Sequence, residues 1–258
     1  MNKSTNVPKT LNPEKVLTRI LKKRSGRDNS GQISVRHQGG RQKRYYRFID
    51  SSRDKKDMEA KIIGVEYDPN RTANISLVEY KDGVRKYILH VEGQMIGDKI
   101  ISSSIVEVKI GNAMFLKNIP LGTQIHNVEL YPGQGGALIK SAGSSGVVIA
   151  KDEKYADIKL PSKEVRKILL TCMATIGQIS NVAHKLEKIG KAGRNRLKGI
   201  RPTVRGVAQN PRSHSHGGGE GRSGIGMHPK TPWGKSAMGT RTRNKKKWSN
   251  KLIVKRRN

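Results

Sequence analysis

Cysteine is all but missing. Cys172 is the only one in 258 residues, which excludes an intramolecular disulfide framework and any multi-cysteine zinc finger. A reducing compartment is the natural setting, and within "ILLTCMATIG" the residue reads as small and apolar. Aromatic residues are scarce too, at 4%, and only 34% of residues are hydrophobic. Apolar burial must therefore be confined to part of the chain. No apolar run approaches the roughly 20 residues needed to span a bilayer. No basic amphipathic helix is backed by a Trp/Leu/Phe face either, so no membrane partner is expected. The first 20 residues lack the apolar core of a secretory signal and are poor in arginine for a transit peptide.

Acidic residues are the most consequential shortage. Twenty Asp and Glu stand against 52 Lys and Arg, a net charge of +32. Self-repulsion on that scale calls for a polyanionic partner, and nucleic acid is the leading candidate. The imbalance is uneven: residues 1–60 carry +10, 61–135 carry 0, 136–193 carry +5 and 194–258 carry +17, with Glu220 the one acid of the last stretch. The middle can be globular, whereas both ends need counter-charge.

The neutral middle holds the period-two pattern of strands. "AKIIGVEY" (Ala60–Tyr67) and "ANISLVEY" (Ala73–Tyr80) flank "DPNR", whose Asp, Pro and Asn favour a turn. Asp82-Gly83 suits a two-residue hairpin turn into "VRKYILHV" (Val84–Val91). Short apolar stretches follow at Lys99–Ile101, Ile105–Ile110, Ala113–Leu116 and His126–Leu130. After "YPGQGG", the stretches "ALIKSAG", "GVVIAKDEKYADIKL" and "EVRKILLT" are again strand-like, with a turn at Lys151–Lys154. Many short strands joined by tight turns indicate small barrels. Asn181–Leu197 is expected to form one or two helical turns interrupted at Gly190 and Gly193. Beyond Gly199 neither period survives, and the chain reads as an arm able to reach roughly 190 Å fully extended.

"SHSHGGGEGRSGIGMHP" (Ser213–Pro229) admits sharper chemistry. His214 and His216 are spaced to share one ion, with Glu220 and His228 nearby, but zinc needs three or four rigidly held ligands and the surroundings are cationic glycine. A phosphate-cradling loop needs a strand–loop–helix frame that is not visible. A Ser-His-Asp arrangement lacks a local carboxylate beyond Glu220. Neither a metal nor a cofactor is expected. The reading that explains more residues is a backbone insert for RNA. Glycines approach closely and leave N–H groups free for phosphate, Arg212 and Arg222 make bidentate phosphate contacts, and the imidazoles stack or bond to 2′-hydroxyls. "RHQGGRQKRYYRF" (Arg36–Phe48) likewise interleaves Arg36, Arg41, Lys43, Arg44 and Arg47 with Tyr45, Tyr46 and Phe48, although these rings equally suit the first strand of a barrel.

Five separated blocks, "GRDNSGQISVRHQGG", "EYDPNRTANISLVEYKDGVRKYIL", "GNAMFLKNIPLGTQIHNVELYPGQGG", "GKAGRNRLKGIRPTVRGVAQNP", and "HSHGGGEGR" with "HPKTPWG", closely resemble the bacterial and organellar form of large-subunit ribosomal protein L-two, in the family's order. The resemblance runs from about residue 25 to the C-terminus. It implies a mainly β chain, an oligonucleotide-binding-type barrel followed by an SH3-like barrel, with extended basic N- and C-terminal arms. The corresponding division is 1–59 as N-terminal extension, 60–130 and 131–199 as the two barrels, the second with a short helical end, and 200–258 as C-terminal arm.

The resemblance further implies a non-enzymatic constituent of the large subunit, on a bacterial cytoplasmic or an organellar ribosome. It binds rRNA early in assembly and supports association with the small ribosomal subunit and the peptidyl-transferase region. Its partners are large-subunit rRNA, neighbouring ribosomal proteins and the small subunit. The residues expected to meet rRNA are Arg36, His37, Arg41, Lys43, Arg44, Arg47, Tyr67, Arg71, Lys191, Arg194, Arg196, Arg201, Arg205, Arg212, Arg222, Arg241, Arg243 and Lys245. The loop of His214, His216, Gly217, Gly218 and Gly219 is the segment expected nearest the peptidyl-transferase region, with His216 in a positioning role. Ser213 and Ser215 stand where the family usually has Asp and Pro, and residues 1–23 are not matched. Two other classes, a metal-dependent hydrolase using His214 and His216 and a non-specific nucleic-acid compacting protein, leave the β-units or the cationic surroundings unexplained.

Overall fold

The computed structural model describes residues 14–257, so residues 1–13 of the expected N-terminal extension and the final residue lie outside the described residues. The chain divides into two compact units. One comprises Lys43–Lys188 with the segments up to Leu21 and from Ser249, and the other comprises Lys22–Gln42 with Ile189–Trp248.

The first unit is mainly β, with short 3-10 turns. A two-stranded ribbon pairs β1 (Thr18–Ile20) with β2 (Tyr45–Arg47). A four-stranded antiparallel sheet follows, built from β3 (Glu59–Glu66), β4 (Ile75–Tyr80), β5 (Arg85–Leu89) and β6 (Lys99–Ile101) in the order β5-β4-β3-β6. Alternation along β3 buries Ala60 and Ile62, and these pack with Val78, Tyr80, Ile88 and Ile100 as one apolar cluster. The "DPNR" turn forms as expected, with the Asn70 N–H on the Asp68 carboxylate at 2.9 Å. The next hairpin differs from expectation. Its loop is three residues, 81–83, closed by Tyr80 N–H to Val84 O at 3.0 Å, and only Gly83 takes positive φ, at 78°.

The larger sheet has seven strands: β7 (Ala113–Phe115), β8 (Gln124–His126), β11 (Gly146–Lys151), β12 (Tyr155–Lys159), β13 (Val165–Leu169), β14 (Met173–Ile176) and β15 (Ile253–Lys255). They lie in the order β15-β13-β12-β11-β8-β14-β7, while β9 (Val128–Glu129) and β10 (Gly136–Leu138) form a separate pair. The core of this sheet is aliphatic: Met114, Leu116, Ile119, Ile125, Val148, Ile158 and Ile168 pack together with Cys172. The Cys172 thiol is unpaired, and burial pushes its pKa up to about 11. Two β-units in succession match the expected oligonucleotide-binding-type and SH3-like order, but backbone pairing leaves both sheets open rather than closed into rings. Strands between residues 113 and 126 pair with those between 146 and 176, so the sheets part between Ile101 and Ala113 rather than near residue 130.

Ile105–Ile110 is not a strand despite its alternation. Lys109 N–H turns back onto Glu107 O at 2.8 Å, and the side-chain amides of Asn112 and Asn118 take the carbonyls of Glu107 and Ser104. Of "ALIKSAG" only its first two residues lie in a strand, β10. The "YPGQGG" loop is organised by the buried Glu129 carboxylate, which accepts from the N–H groups of Gly135 at 3.0 Å and Met173 at 2.9 Å.

In the second unit, the expected interrupted helix is a single α-helix, α1 (Ala192–Lys198), preceded in the first unit by a 3-10 turn at Val182–Leu186. Gly190 lies between them at φ 79°, but Gly193 sits inside α1 and does not interrupt it. Gly199, at φ 94°, ends α1 in the left-handed conformation that glycine adopts at low cost. From Arg201 to Lys247 the one regular element is a 3-10 turn at Gly206–Ala208. The stretch expected as an arm is thus nearly without regular elements, and its end returns to the large sheet as β15, paired with β13.

Candidate nucleic-acid interface

In the first unit, β2 carries the aromatic-basic stretch. Tyr45, Tyr46 and Phe48 are all exposed, with the Tyr46 and Phe48 rings edge-to-face at 5.7 Å. Tyr45 and Tyr46 thus belong to a strand, as one reading of the sequence has it, yet none of these rings enters the core. Tyr67 is exposed as well, and Lys43 projects to solvent.

Three cations expected at the RNA surface turn inward. Arg47 is buried, its Nε 3.4 Å from Glu66 and a terminal nitrogen 3.9 Å from Asp68. Arg71 meets Asp68 at 2.6 Å, and half-buried Arg44 donates to the Pro69 carbonyl at 2.7 Å. The Tyr87 hydroxyl donates to Glu66 at 3.0 Å; burial, with the adjacent Glu66 charge adding to it, pushes its pKa up to about 12. A guanidinium held by buried carboxylates is not free to fork onto a phosphate. No sequence pattern marks this, because Arg47 and Glu66 are nineteen residues apart.

The second unit offers the opposite electrostatics. Its 21 Lys and Arg face two carboxylates, Asp28 and Glu220. Asp28 is already engaged: its Oδ1 accepts from the Ser30 hydroxyl at 2.7 Å and from the Ser30 and Gln32 N–H groups at 3.0 Å. The Ser30 hydroxyl in particular holds its pKa below the ordinary carboxylate value. Residues 37–42 run antiparallel to 197–201, with Gly39 N–H on Gly199 O at 2.7 Å, Gln42 N–H on Leu197 O at 2.9 Å and Arg201 N–H on His37 O at 3.0 Å. This backbone clasp brings together Arg36, His37, Arg196 and Arg201, residues some 160 positions apart in sequence. Lys191, Arg194, Arg205, Arg212, Arg222, Arg241, Arg243 and Lys245 are exposed and Arg41 is half-buried. Trp233, 75% exposed at the tip of the turn at residues 231–234, is a stacking surface that the sequence reading did not single out. The signal was there: one large ring in a basic segment with few others.

The His-Gly loop is more internally bonded than expected. His214 is buried, and its Nδ1 accepts the His216 N–H at 3.0 Å. His216 accepts the Lys230 N–H through Nε2 at 2.8 Å, and the two rings lie 4.8 Å apart. Each imidazole therefore uses its ring lone pair on a backbone donor and keeps a proton on the other nitrogen, which removes the lone pairs a shared cation would need. The glycines are also occupied. Gly217 N–H donates to His214 O at 2.9 Å and Gly218 N–H to Gln209 O at 3.2 Å, so these two groups are not free for phosphate. A Cβ on Gly217 would fall 2.5 Å from the Asn210 backbone, and one on Gly206 would fall 2.5 Å from the His214 ring. Close approach within the loop is what requires glycine here. Among the described residues no helix is long and apolar enough to cross a membrane.

Comparison with known families matches residues 14–102 to "Ribosomal Proteins L2, RNA binding N-terminal domain" and residues 109–234 to "Ribosomal Proteins L2, C-terminal domain". The first match contains the ribbon and the four-stranded sheet, and the second contains six strands of the large sheet, α1 and the His-Gly loop. With the two domains in succession along most of its length, the chain belongs to the ribosomal protein L2 family and is a structural, RNA-binding component of the large ribosomal subunit.

Proposed function

We propose that this chain binds large-subunit rRNA directly and early, supporting subunit assembly, association with the small subunit and the architecture of the peptidyl-transferase region. The observation that carries this reading is the second unit: 21 cations, two carboxylates and a surface of exposed guanidiniums. Self-repulsion across such a surface is relieved by a polyanion. The proposed contacts are the exposed Arg36, His37, Lys43, Tyr67, Lys191, Arg194, Arg196, Arg201, Arg205, Arg212, Arg222, Arg241, Arg243 and Lys245, with half-buried Arg41. Arg44, Arg47 and Arg71 serve instead by holding the ribbon against the four-stranded sheet. His214, His216 and Gly217–Gly219 shape the loop presented to the peptidyl-transferase region. His216 acts as a positioning residue, because its Nε2 is engaged by backbone.

Sedimentation of the tagged chain from a gentle lysate, with a moderate-salt wash, tests the reading. Co-migration with large subunits and assembled ribosomes supports it, and free protein at the top of the gradient without RNA overturns it. In reconstitution, omission of the chain is expected to leave particles that fail to join small subunits.

A further inference from the structure

The second unit contains a hollow of about 550 Å³ bounded by Arg27, Ile33, Arg36, His37, Gln38 and Arg201. Its walls are preformed. Ser34 and Val35 N–H groups both donate to Gly26 O at 3.0 Å, Arg27 and Ile33 are bridged antiparallel, and His37 O receives Arg201 N–H. Gly26 cannot be replaced without disturbing this loop, since a Cβ there would collide with the Val35 carbonyl oxygen. The lining holds three guanidiniums and no carboxylate. Arg27 gives one N–H to the Ser25 carbonyl at 3.4 Å, while the side chains of Arg36 and Arg201 make no hydrogen bond among the described residues.

That charge requires an anionic occupant. A lone phosphate would fill a small fraction of the volume and would use neither the apolar Ile33 nor the amide of Gln38. A continuous duplex, with its bases stacked and paired, presents only its backbone to such a concavity. A nucleotide swung out of its stack satisfies every wall, as RNA-binding sites commonly exploit in loops and bulges. We propose that this hollow receives a single unpaired, extruded RNA nucleotide. Arg27, Arg36 and Arg201 hold its flanking phosphates, Ile33 and the His37 ring cover the base, and the Gln38 amide, both donor and acceptor, meets the base edge. This rests on the rRNA reading above and names the form of RNA that one part of the surface takes.

The test is photo-cross-linking in assembled particles. A benzophenone side chain replaces Ile33 in the full tagged chain, large subunits are isolated and irradiated, and the cross-linked nucleotide is mapped. A probe at exposed Met238 serves as the comparison. The expected result is one dominant cross-link from position 33 to a nucleotide that chemical probing shows to be unpaired, reduced at least tenfold by the Arg36→Ala and Arg201→Ala pair with the Met238 cross-link unchanged. A cross-link from position 33 into continuous duplex, to protein alone, or to nothing overturns the proposal while the chain still sediments with large subunits. Should the chain not sediment with them at all, the rRNA reading itself falls and the proposal with it. If the double variant does not assemble, the pairing state of the nucleotide reached from position 33 decides the matter.

Discussion

The Lys230 backbone N–H donates to Nε2 of His216 at 2.8 Å, across fourteen residues of chain, and so ties the "HPKTPWG" turn to the glycine loop. His216→Ala removes this anchor, at a cost of about 1 kcal/mol to local order, whereas His216→Gln keeps an acceptor. Subunits carrying either variant are expected to assemble. The Ala loop should gain hydroxyl-radical cleavage between residues 217 and 235, and the Gln loop should resist it. Restoration of peptide-bond formation by Gln would mark positioning, because an amide cannot serve as a general base; a Gln variant as impaired as Ala would refute the positioning role.

Glycine substitutions should separate by their surroundings. Gly217→Ala and Gly206→Ala drive a methyl into the Asn210 backbone and the His214 ring, and each is expected to destabilise the loop by about 1–3 kcal/mol. Gly193→Ala meets open space inside α1 and should stabilise by about 0.4–1 kcal/mol. Thermal unfolding of the free full-length chain checks the order of the three.

Arg47→Met takes from buried Glu66 its only cation among the described residues and leaves it on the Tyr87 hydroxyl, while Asp68 keeps Arg71, and a loss of about 3–5 kcal/mol is expected. Arg47→Met with Glu66→Gln should recover part of it, read by chemical denaturation. Arg205→Ala, on the surface, should change stability by less than about 0.5 kcal/mol. It should instead lower the salt slope of rRNA-fragment binding by about 1, since one phosphate contact is lost. An unchanged slope would remove Arg205 from the interface.

His90 and His126 are buried in the first unit, His90 on the Ser76 hydroxyl at 2.8 Å and His126 Nδ1 donating to Gly177 O at 2.9 Å. Burial lowers each pKa from 6.5 to about 4. Both are neutral in folded and unfolded chains above about pH 6.5, so neither contributes pH dependence there. Below it the unfolded chain binds protons that the folded chain refuses, and stability falls between pH 6.5 and 4 by up to about 3 kcal/mol per histidine. His126→Gln should flatten the pH profile of the unfolding midpoint in this window; an equally steep profile in the variant would assign the acid sensitivity elsewhere.

The strands were legible where alternation and turn residues coincide, as at Ala60–Tyr80, because local pattern and final burial agree there. Ile105–Ile110 alternates equally well, but the Asn112 amide takes the Glu107 carbonyl and the Asn118 amide that of Ser104 just before the segment, a competition that periodicity does not register. Charge singled out the basic segments but gives no sign that Arg44, Arg47 and Arg71 meet Pro69, Glu66 and Asp68, acceptors at the end of β3 and in the turn that follows it. The His-Gly loop showed its composition but not its hydrogen bonding. Which N–H groups remain available depends on the turn at Gln209–Asn210 folding back onto it.

β15 gives the basic segment a different topology from that of a tail. Residues 189–248 leave the first unit after Lys188 and the chain re-enters it at Ser249, with Ile253 and Lys255 laced to β13. The segment is an excursion fixed at both ends. Its conformational freedom before RNA binding is that of a closed loop, and it pays the closure cost once, when β15 docks. Proteolytic nicking within the excursion would leave both fragments attached to the same β scaffold.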